Sequence, residues 1–488
     1  MKLVPAKSIL TLVLALGAAL GCVGLALAAT SQGASGERPG FSTTPALSPA
    51  FGWDRSDYAV RCAGGPTRVE VESPDGWRVA VGSAAPQSGT FSVDLALKPG
   101  RAFTVRFIPE TGNPVRHYFV RCLPADFPEY KVTGHWKGGP RLVVAQLPNQ
   151  YAAAFDRNGA PVWWYRAPDG SPNDAKLLSD GTLAYAPVQG VNFRRFQIRS
   201  PEGKAIRTVE AAGGPGTDIH DLVLLKNGNY LLGAHRLVRN VDTSRFGGDA
   251  KATIDTAQLQ EQTPSGRLVW KWDAYPRIGL RETGRWWKTI TGWGQPYDVH
   301  HWNSIERRGR SILLSFRHLD AVLEIDRRSG RIRWKLGGVK TNRSLRVKGD
   351  RHRSYPFGGQ HDARYQSGGT ITAFDNATNL TRQQPRAVRF RIQPRRRLAT
   401  LVDEVRDPQV GVSVGMASAR LTGAGWFIGW GAIGSRGIAG AYGLSGDPIF
   451  RLITPESFSY RLNPVSSKRP TTQRLRKAMS RMAGAQGT

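Results

Sequence analysis

Gly359-Gln360-His361-Asp362-Ala363-Arg364-Tyr365-Gln366-Ser367-Gly368-Gly369 sets a spacing that recurs along the chain. His361 stands eight residues before Gly369, His301 eight before Gly309, and His220 eight before Gly228. Three of the nine histidines therefore hold one place in one structural unit. Each of these glycines opens a short apolar run, and further copies of that run begin at Gly181, at Gly425 and, less regularly, at Gly139. A second half-motif lies at residues 156–163, 200–206, 263–270 and 326–334: a turn and a glycine, then an apolar strand often ending in Trp. Two such hairpins make a four-stranded blade. About six copies predict an all-β chain, a six-bladed β-propeller over residues 130–455. Repeats that set the same side chain at the same point of each unit gather those side chains around one axis.

The innermost strand of each blade lines the channel, so His220, His301 and His361 are expected to start that strand at one mouth. The return strand ends about eight residues past the glycine, which brings Arg236 and Arg317 to the same opening. Asn173 and Ala417 hold the equivalent place in other repeats, so the cluster is asymmetric, as a reactive site would be. Neutral imidazole is a nucleophile and its charged form a proton donor. Arginine binds an oxyanion through paired hydrogen bonds. Together they suit transfer of an anionic group, one histidine attacking while the others and the arginines stabilise charge. Asp221 and Asp362 are expected to cap turns rather than orient imidazoles, because neighbours on a strand face opposite ways. The same alternation lets only one of His300 and His301 face the channel. His117, His135, His235, His318 and His352 are read as structural. Three histidines also suit a transition metal, but the arginines oppose a nearby dication, so neither metal nor cofactor is expected.

Lys2 and Lys7 precede an apolar run ending in Ala26-Leu27-Ala28, so residues 1–28 read as an export signal or a membrane anchor. Cys22 sits in a loose lipoprotein-box context. Residues 29–50 read as a flexible linker, and residues 51–127, with short alternating runs, as a small β-sandwich-like domain. Cys62 and Cys122 lie in similar contexts, Tyr58-Ala-Val-Arg-Cys62 and Tyr118-Phe-Val-Arg-Cys122, and in an oxidising compartment read as one disulfide. The long gap from Gly228 to Gly309 predicts an insertion around residues 239–260 or 276–297. The second holds Trp286, Trp287 and Trp293, which either roof a pocket or pack between blades. Residues 456–488 read as a basic tail, disordered or surface-associated. Lys and Arg total 68 against 37 acids, a net charge of +31. That favours anionic partners, including an anionic membrane or wall surface. With no lysine-rich arm, zinc spacing or aromatic RNA-binding motif, nucleic acid is not the expected partner.

The segments Asp298-Val-His-His-Trp-Asn303-Ser304, Ser315-Phe-Arg317-His-Leu-Asp320 with Glu324-Ile-Asp326, and Gly359-Gln-His361-Asp362 resemble the bacterial arylsulfate sulfotransferases. The resemblance covers residues 130–455, and the N-terminal β-domain is similar too. It implies an exported six-bladed propeller enzyme moving a sulfuryl group from an aryl sulfate ester to a phenolic acceptor. The implied mechanism is ping-pong through a sulfohistidine, with no nucleotide donor. By motif, His361 matches the nucleophile, and His301 the position that binds the sulfuryl group and protonates the leaving phenol. Arg317 matches the sulfate-binding arginine, His220 the remaining site histidine, and Asn303 the motif's asparagine. Two rival readings are a non-catalytic propeller holding an anionic envelope polymer or glycan, and a quinone- or metal-dependent propeller oxidoreductase.

Overall fold

Each glycine-led apolar run becomes the second strand of a hairpin whose first strand carries the recurring position. The computed structural model describes residues 38–488 apart from 63, 190–194, 214–215, 381–382, 432, 435, 456–459, 466–468 and 486–488. Ser171–Leu177, Thr217–Leu224, Trp302–Arg308, His361–Gln366 and Ser418–Thr422 each open an antiparallel sheet and are followed in order by its three outer strands. A further sheet takes Leu142–Leu147, Tyr151–Asp156 and Pro161–Arg166 from the start of the region and its innermost strand, Leu462–Pro464, from the end. Lys131–Gly134 pairs with Pro448–Thr454 on the outer edge of the last sheet. Six sheets thus follow one another among the described residues, and both ends of the region are tied in, which closes a β-propeller.

The inner strands meet on an axis marked by buried charge. Asp174, Asp221 and Asp362 come from three of them, and Lys176, Arg364, Arg420 and Arg461 answer from the same strands or their neighbours. Arg364 lies 2.7 Å from Asp221 and 2.8 Å from Asp362, and Arg420 is 2.5 Å from Asp362. Arg461, fully buried just before the closing strand, reaches Asp174 at 2.9 Å and Asp362 at 3.3 Å. Unpaired, any of these charges would be costly to bury.

Asp221 and Asp362 therefore do not cap turns; they belong to this axial cluster. The reason is a bulge at the same place in four inner strands. Pairing shifts between Asn173 and Lys176, Asp218 and Leu222, Trp302 and Ser304, and His361 and Arg364. Asp174, His301 and Asp362 take left-handed φ of 49°, 45° and 56° there, uncommon for residues other than glycine. A bulge breaks the two-residue alternation and re-aims side chains. A histidine can then face the mouth while the residue beside it faces the axis.

The described residues after 455 are not a loose tail. They supply the closing strand and the helix Thr472–Ala485, so the propeller runs past 455 to Pro464. The three-residue strand is too short to show alternation in sequence. The helix buries Leu475, Ala478 and Met479 in the first sheet's core, while Arg476 donates to Asp57 from its other face at 2.6 Å. The basic residues that suggested disorder are its polar stripe.

Before the propeller, Gly40–Thr44, Thr67–Ser73 and Gly89–Leu95 form one sheet, and Asp57–Val60, Trp77–Val81, Ala102–Pro109 and Arg116–Cys122 another. They share a core of Phe41, Val69, Val71, Val79, Phe107 and Tyr118. The first strand begins inside the stretch read as linker, and Asp57–Val60 runs parallel to Arg116–Cys122. Cys62 and Cys122 are joined, with Cα atoms 5.6 Å apart. The export-signal reading falls on residues outside those described. No helix among the described residues is long and apolar enough to cross a membrane.

Both predicted insertion segments are used. The hairpin Tyr230–Val241/Ala252–Gln262 extends outward, and Tyr297–Asp298 joins it in parallel. Between them Leu280–Trp286 and Trp287–Trp293 form two short helical turns beside the mouth.

Candidate active site

Three imidazoles converge where the bulged inner strands begin. His220 and His301 lie with ring centroids 4.8 Å apart, and His318 is 4.6 Å from His301. Asp218 accepts from His220 Nδ1 at 2.5 Å and from its backbone N–H at 3.0 Å. Asp298 does the same for His301, at 2.5 and 3.0 Å. The orienting carboxylates thus stand two and three residues before their histidines. With Nδ1 engaged by a carboxylate, each ring is left to present Nε2.

His361 is buried and held differently. Its Nδ1 faces two acceptors, Asn376 Oδ1 at 2.7 Å and the Gly359 carbonyl at 3.0 Å, so the proton belongs on Nδ1. Nε2 then carries the lone pair, met only by the Met416 N–H at 3.2 Å among the described residues. Burial, together with the nearby positive charge of Arg317 and the imidazoles of His301 and His220, holds His361 well below the usual histidine value. His301 is pushed down in the same direction by burial, His220 and Arg317. Both shifts favour the neutral, unprotonated base at neutral pH.

Arg317 follows directly on the strand Ser311–Phe316, where the eight-residue count places it. Its guanidinium stacks 4.3 Å over Trp286, donates from Nη1 to His318 Nε2 at 2.9 Å, and from Nη2 to the Val414 carbonyl at 3.0 Å. Burial lowers it to about 10, still charged near neutrality. His318 donates from Nδ1 to the Asp298 carbonyl at 2.6 Å, and burial lowers it to about 3. It is a neutral spacer between Arg317 and Asp298, and belongs to the site although its sequence position marked it as structural. Trp286 lies 4.7 Å from the His318 ring and is buried, whereas Trp293, 5.9 Å from it, is 64% exposed.

Two expected substrate contacts are not brought here. Arg236 sits inside a hairpin strand that runs on to Val241, so it does not end at the mouth; it donates to the Tyr275 carbonyl at 3.0 Å and pairs with Asp273. Its neighbour His235 takes the site-facing place, bonding Asp255 at 2.8 Å; burial opposes its charge, but Asp255 and Asp218 raise it to about 9. Asn303 is fully buried and donates to the Gln360 carbonyl at 2.7 Å. It ties one inner strand to the residue before His361 rather than meeting a ligand. Of the doubled pair, His301 faces the mouth; His300 is buried against Thr256 at 2.6 Å, and burial lowers it to about 4.

Sequence reading also missed Asn376 and Tyr460. Asn376 follows the second strand of the His361 hairpin, fifteen residues on, where only the register of His361 with Phe374 could point to it. Tyr460 lies 6.1 Å from the His220 ring, its hydroxyl buried without a hydrogen-bond partner among the described residues. Asp298, His301 and His318 set three donor atoms within 4.8 Å, a spacing a metal could use. The guanidinium of Arg317, bonded to His318, places fixed positive charge at that spot. A neutral imidazole presenting Nε2, two carboxylate-oriented imidazoles and a fixed cation are groups suited to binding a tetrahedral anion.

Among solved structures the chain is similar to the β-propeller domain of Myceliophteria thermophila Cps50 (Swd1), with 12% identity, TM-score 0.36, and 68% of this chain and 100% of that one covered. It is also similar to the Dos1 propeller, with 10% identity, TM-score 0.31, and 68% and 71% covered. Curated proteins give no match. The family described as Arylsulfotransferase (ASST) matches residues 134–409, 276 of the 488 residues, a span that takes in His220, His301, Arg317, His361 and Asn376. The chain belongs to the arylsulfotransferase family.

Proposed function

We propose that the protein moves a sulfuryl group from an aryl sulfate ester to a phenol in two steps through a sulfohistidine. The observation that carries this reading is the fixed tautomer of His361, with Nδ1–H facing Asn376 and Gly359 and the Nε2 lone pair met only by the Met416 N–H among the described residues. Arg317 binds the sulfate oxygens. The His361 Nε2 lone pair attacks sulfur, the N–S bond forms, and the aryl S–O bond breaks. Asn376 Oδ1 supports the positive charge this places on the imidazole ring. The phenolate oxygen takes a proton from His301. Burial and Arg317 disfavour that proton; a bound sulfate offsets the Arg317 charge and restores it. In the second step His301 takes the proton of the acceptor phenol. The phenol oxygen attacks sulfur, the N–S bond breaks, and its electron pair returns to His361. His220, its Nδ1 held by Asp218, donates to an equatorial oxygen from Nε2 when its ring carries both protons. The Cys62–Cys122 bond supports an oxidising, extracytoplasmic location. The +31 charge supports association with an anionic envelope surface.

Exposure to 4-nitrophenyl sulfate, followed by peptide mass spectrometry, tests the reaction class: one sulfuryl group is expected on His361. Nitrophenolate leaves without a proton, so the loading rate reports the nucleophile alone. Because His361 is held below 6.5, its Nε2 stays unprotonated as pH falls through 6.5, and the rate should stay level there. A half-maximal rate at or above pH 6.5 would mean an ordinary, solvated imidazole and would count against the assignment.

Asn376→Ala removes the acceptor that selects the Nδ1–H tautomer and leaves only the Gly359 carbonyl. Loading should fall by roughly 10²-fold, the loss that a small misplacement of a reacting group brings. Asn376→Asp restores an acceptor and should recover most of the rate, with the acid limb moved upward by the added negative charge.

A further inference from the structure

Beside the histidine cluster lies a cavity of about 790 Å³, walled by residues 351–352, 376–380, 383–385 and 411–414. Two of its lining residues also hold the site. Asn376 accepts from His361 and donates to Ser413, itself in the wall, at 2.7 Å; Val414 gives its carbonyl to Arg317. The cavity therefore borders the site through these two residues. Its volume falls within the range of pockets for drug-sized ligands and far exceeds what one benzene ring needs. Val412 and Val414 leave apolar side chains 65% and 55% exposed on its wall, a surface a flat aromatic body would cover. No carboxylate lines it among the described residues. Among the described residues Arg351 is its one Lys or Arg side chain, forms no ion pair, and meets only His352, at 3.1 Å.

Resting on the sulfuryl-transfer reading, we propose that this cavity is the aryl subsite, and that it selects multi-ring phenols bearing an acidic group. The sulfate or attacking hydroxyl lies at His361 and Arg317. The first ring extends past Asn376 and Val414, the second lies against Val412, and its acidic group meets Arg351. The aryl portions of donor and acceptor use the same cavity in turn, as a two-step exchange at one nitrogen requires.

The test uses the full chain, its Val412→Trp and Arg351→Glu variants, and three acceptors: phenol, a neutral two-ring phenol, and the same two-ring phenol carrying a carboxylate. After loading from 4-nitrophenyl sulfate, wild type should prefer the two-ring acid over phenol in kcat/KM by at least about tenfold. Val412→Trp should cut that ratio by about tenfold, and Arg351→Glu should remove the preference for the acid over its neutral counterpart. Calorimetric titration of the two-ring acid into unloaded protein should show the same losses without any turnover. If His361 loads normally but neither the ratios nor the binding respond to either substitution, the subsite assignment is overturned. If binding responds to both while wild type never gains a sulfuryl group, the subsite stands and the transfer reading beneath it falls.

Discussion

His361→Ala is expected to abolish sulfuryl uptake and to lower aryl-sulfate turnover by at least about 10⁴-fold, as removal of a covalent nucleophile does elsewhere. The size of the effect follows from what the other groups can do alone. Arg317, His301 and His220 would still bind and polarise an ester, but in the proposed roles His301 handles the phenol proton and His220 contacts an oxygen, so neither attacks sulfur in place of His361. A direct transfer to phenol would have to bring two anionic or weakly nucleophilic oxygens together at sulfur with no intermediate. Packing does not account for such a loss. His361 lies at a strand start, and His361→Asn would keep a polar side chain there while still giving no N–S bond. Both variants should bind the two-ring acid as wild type does, and neither should gain mass after exposure to 4-nitrophenyl sulfate. A sulfuryl group appearing on His301 or His220 instead would reassign the nucleophile and reverse the order of roles.

The spacing of eight residues between His220, His301 or His361 and a glycine made a large share of this arrangement readable from sequence, because both ends of a hairpin are fixed once its turn and strand length are known. It placed Arg317 correctly beside the histidines and failed for Arg236, where the hairpin continues to Val241 and the same count stops in mid-strand. Alternation predicted opposite faces for His361 and Asp362. The faces are indeed different, but a left-handed bulge residue turns Asp362 toward the axis instead of toward a local turn. Asn376 was hidden because its tie to His361 crosses between strands, and His318 because a neighbour of a named arginine drew no separate signal. The closing strand Leu462–Pro464 has three residues, too few for any periodicity. What sequence could not show was set in each case by pairing across the chain, which no local pattern records.

Arg461→Ala is expected to destabilise the fold by about 3–5 kcal/mol, the cost of removing one partner from buried ion pairs. Arg461 is fully buried, and burial opposes its charge, but Asp174, Tyr460, Asp221 and Asp362 hold its guanidinium in the charged form. Without it, three carboxylates on the axis share only Lys176, Arg364 and Arg420. The loss falls where the ring closes, since Arg461 immediately precedes the strand that completes the first sheet. Reduced soluble yield and a lower unfolding temperature check this directly. The same side chain also donates to the His220 carbonyl at 2.9 Å and to the Asn303 carbonyl at 2.5 Å, so it sets the backbone from which two inner strands present the site. Arg461→Lys separates the two roles. A lysine keeps the axial charge but, as a point donor on a flexible stem, cannot span Asp174 and both carbonyls at once. It should fold with most of the stability recovered and still load His361 roughly tenfold more slowly, since small displacements of positioned groups are costly in rate. Equal recovery of stability and loading in Arg461→Lys would show that the axial cluster only holds the ring shut. Recovery of stability alone would make closure of the propeller the step that assembles its histidines.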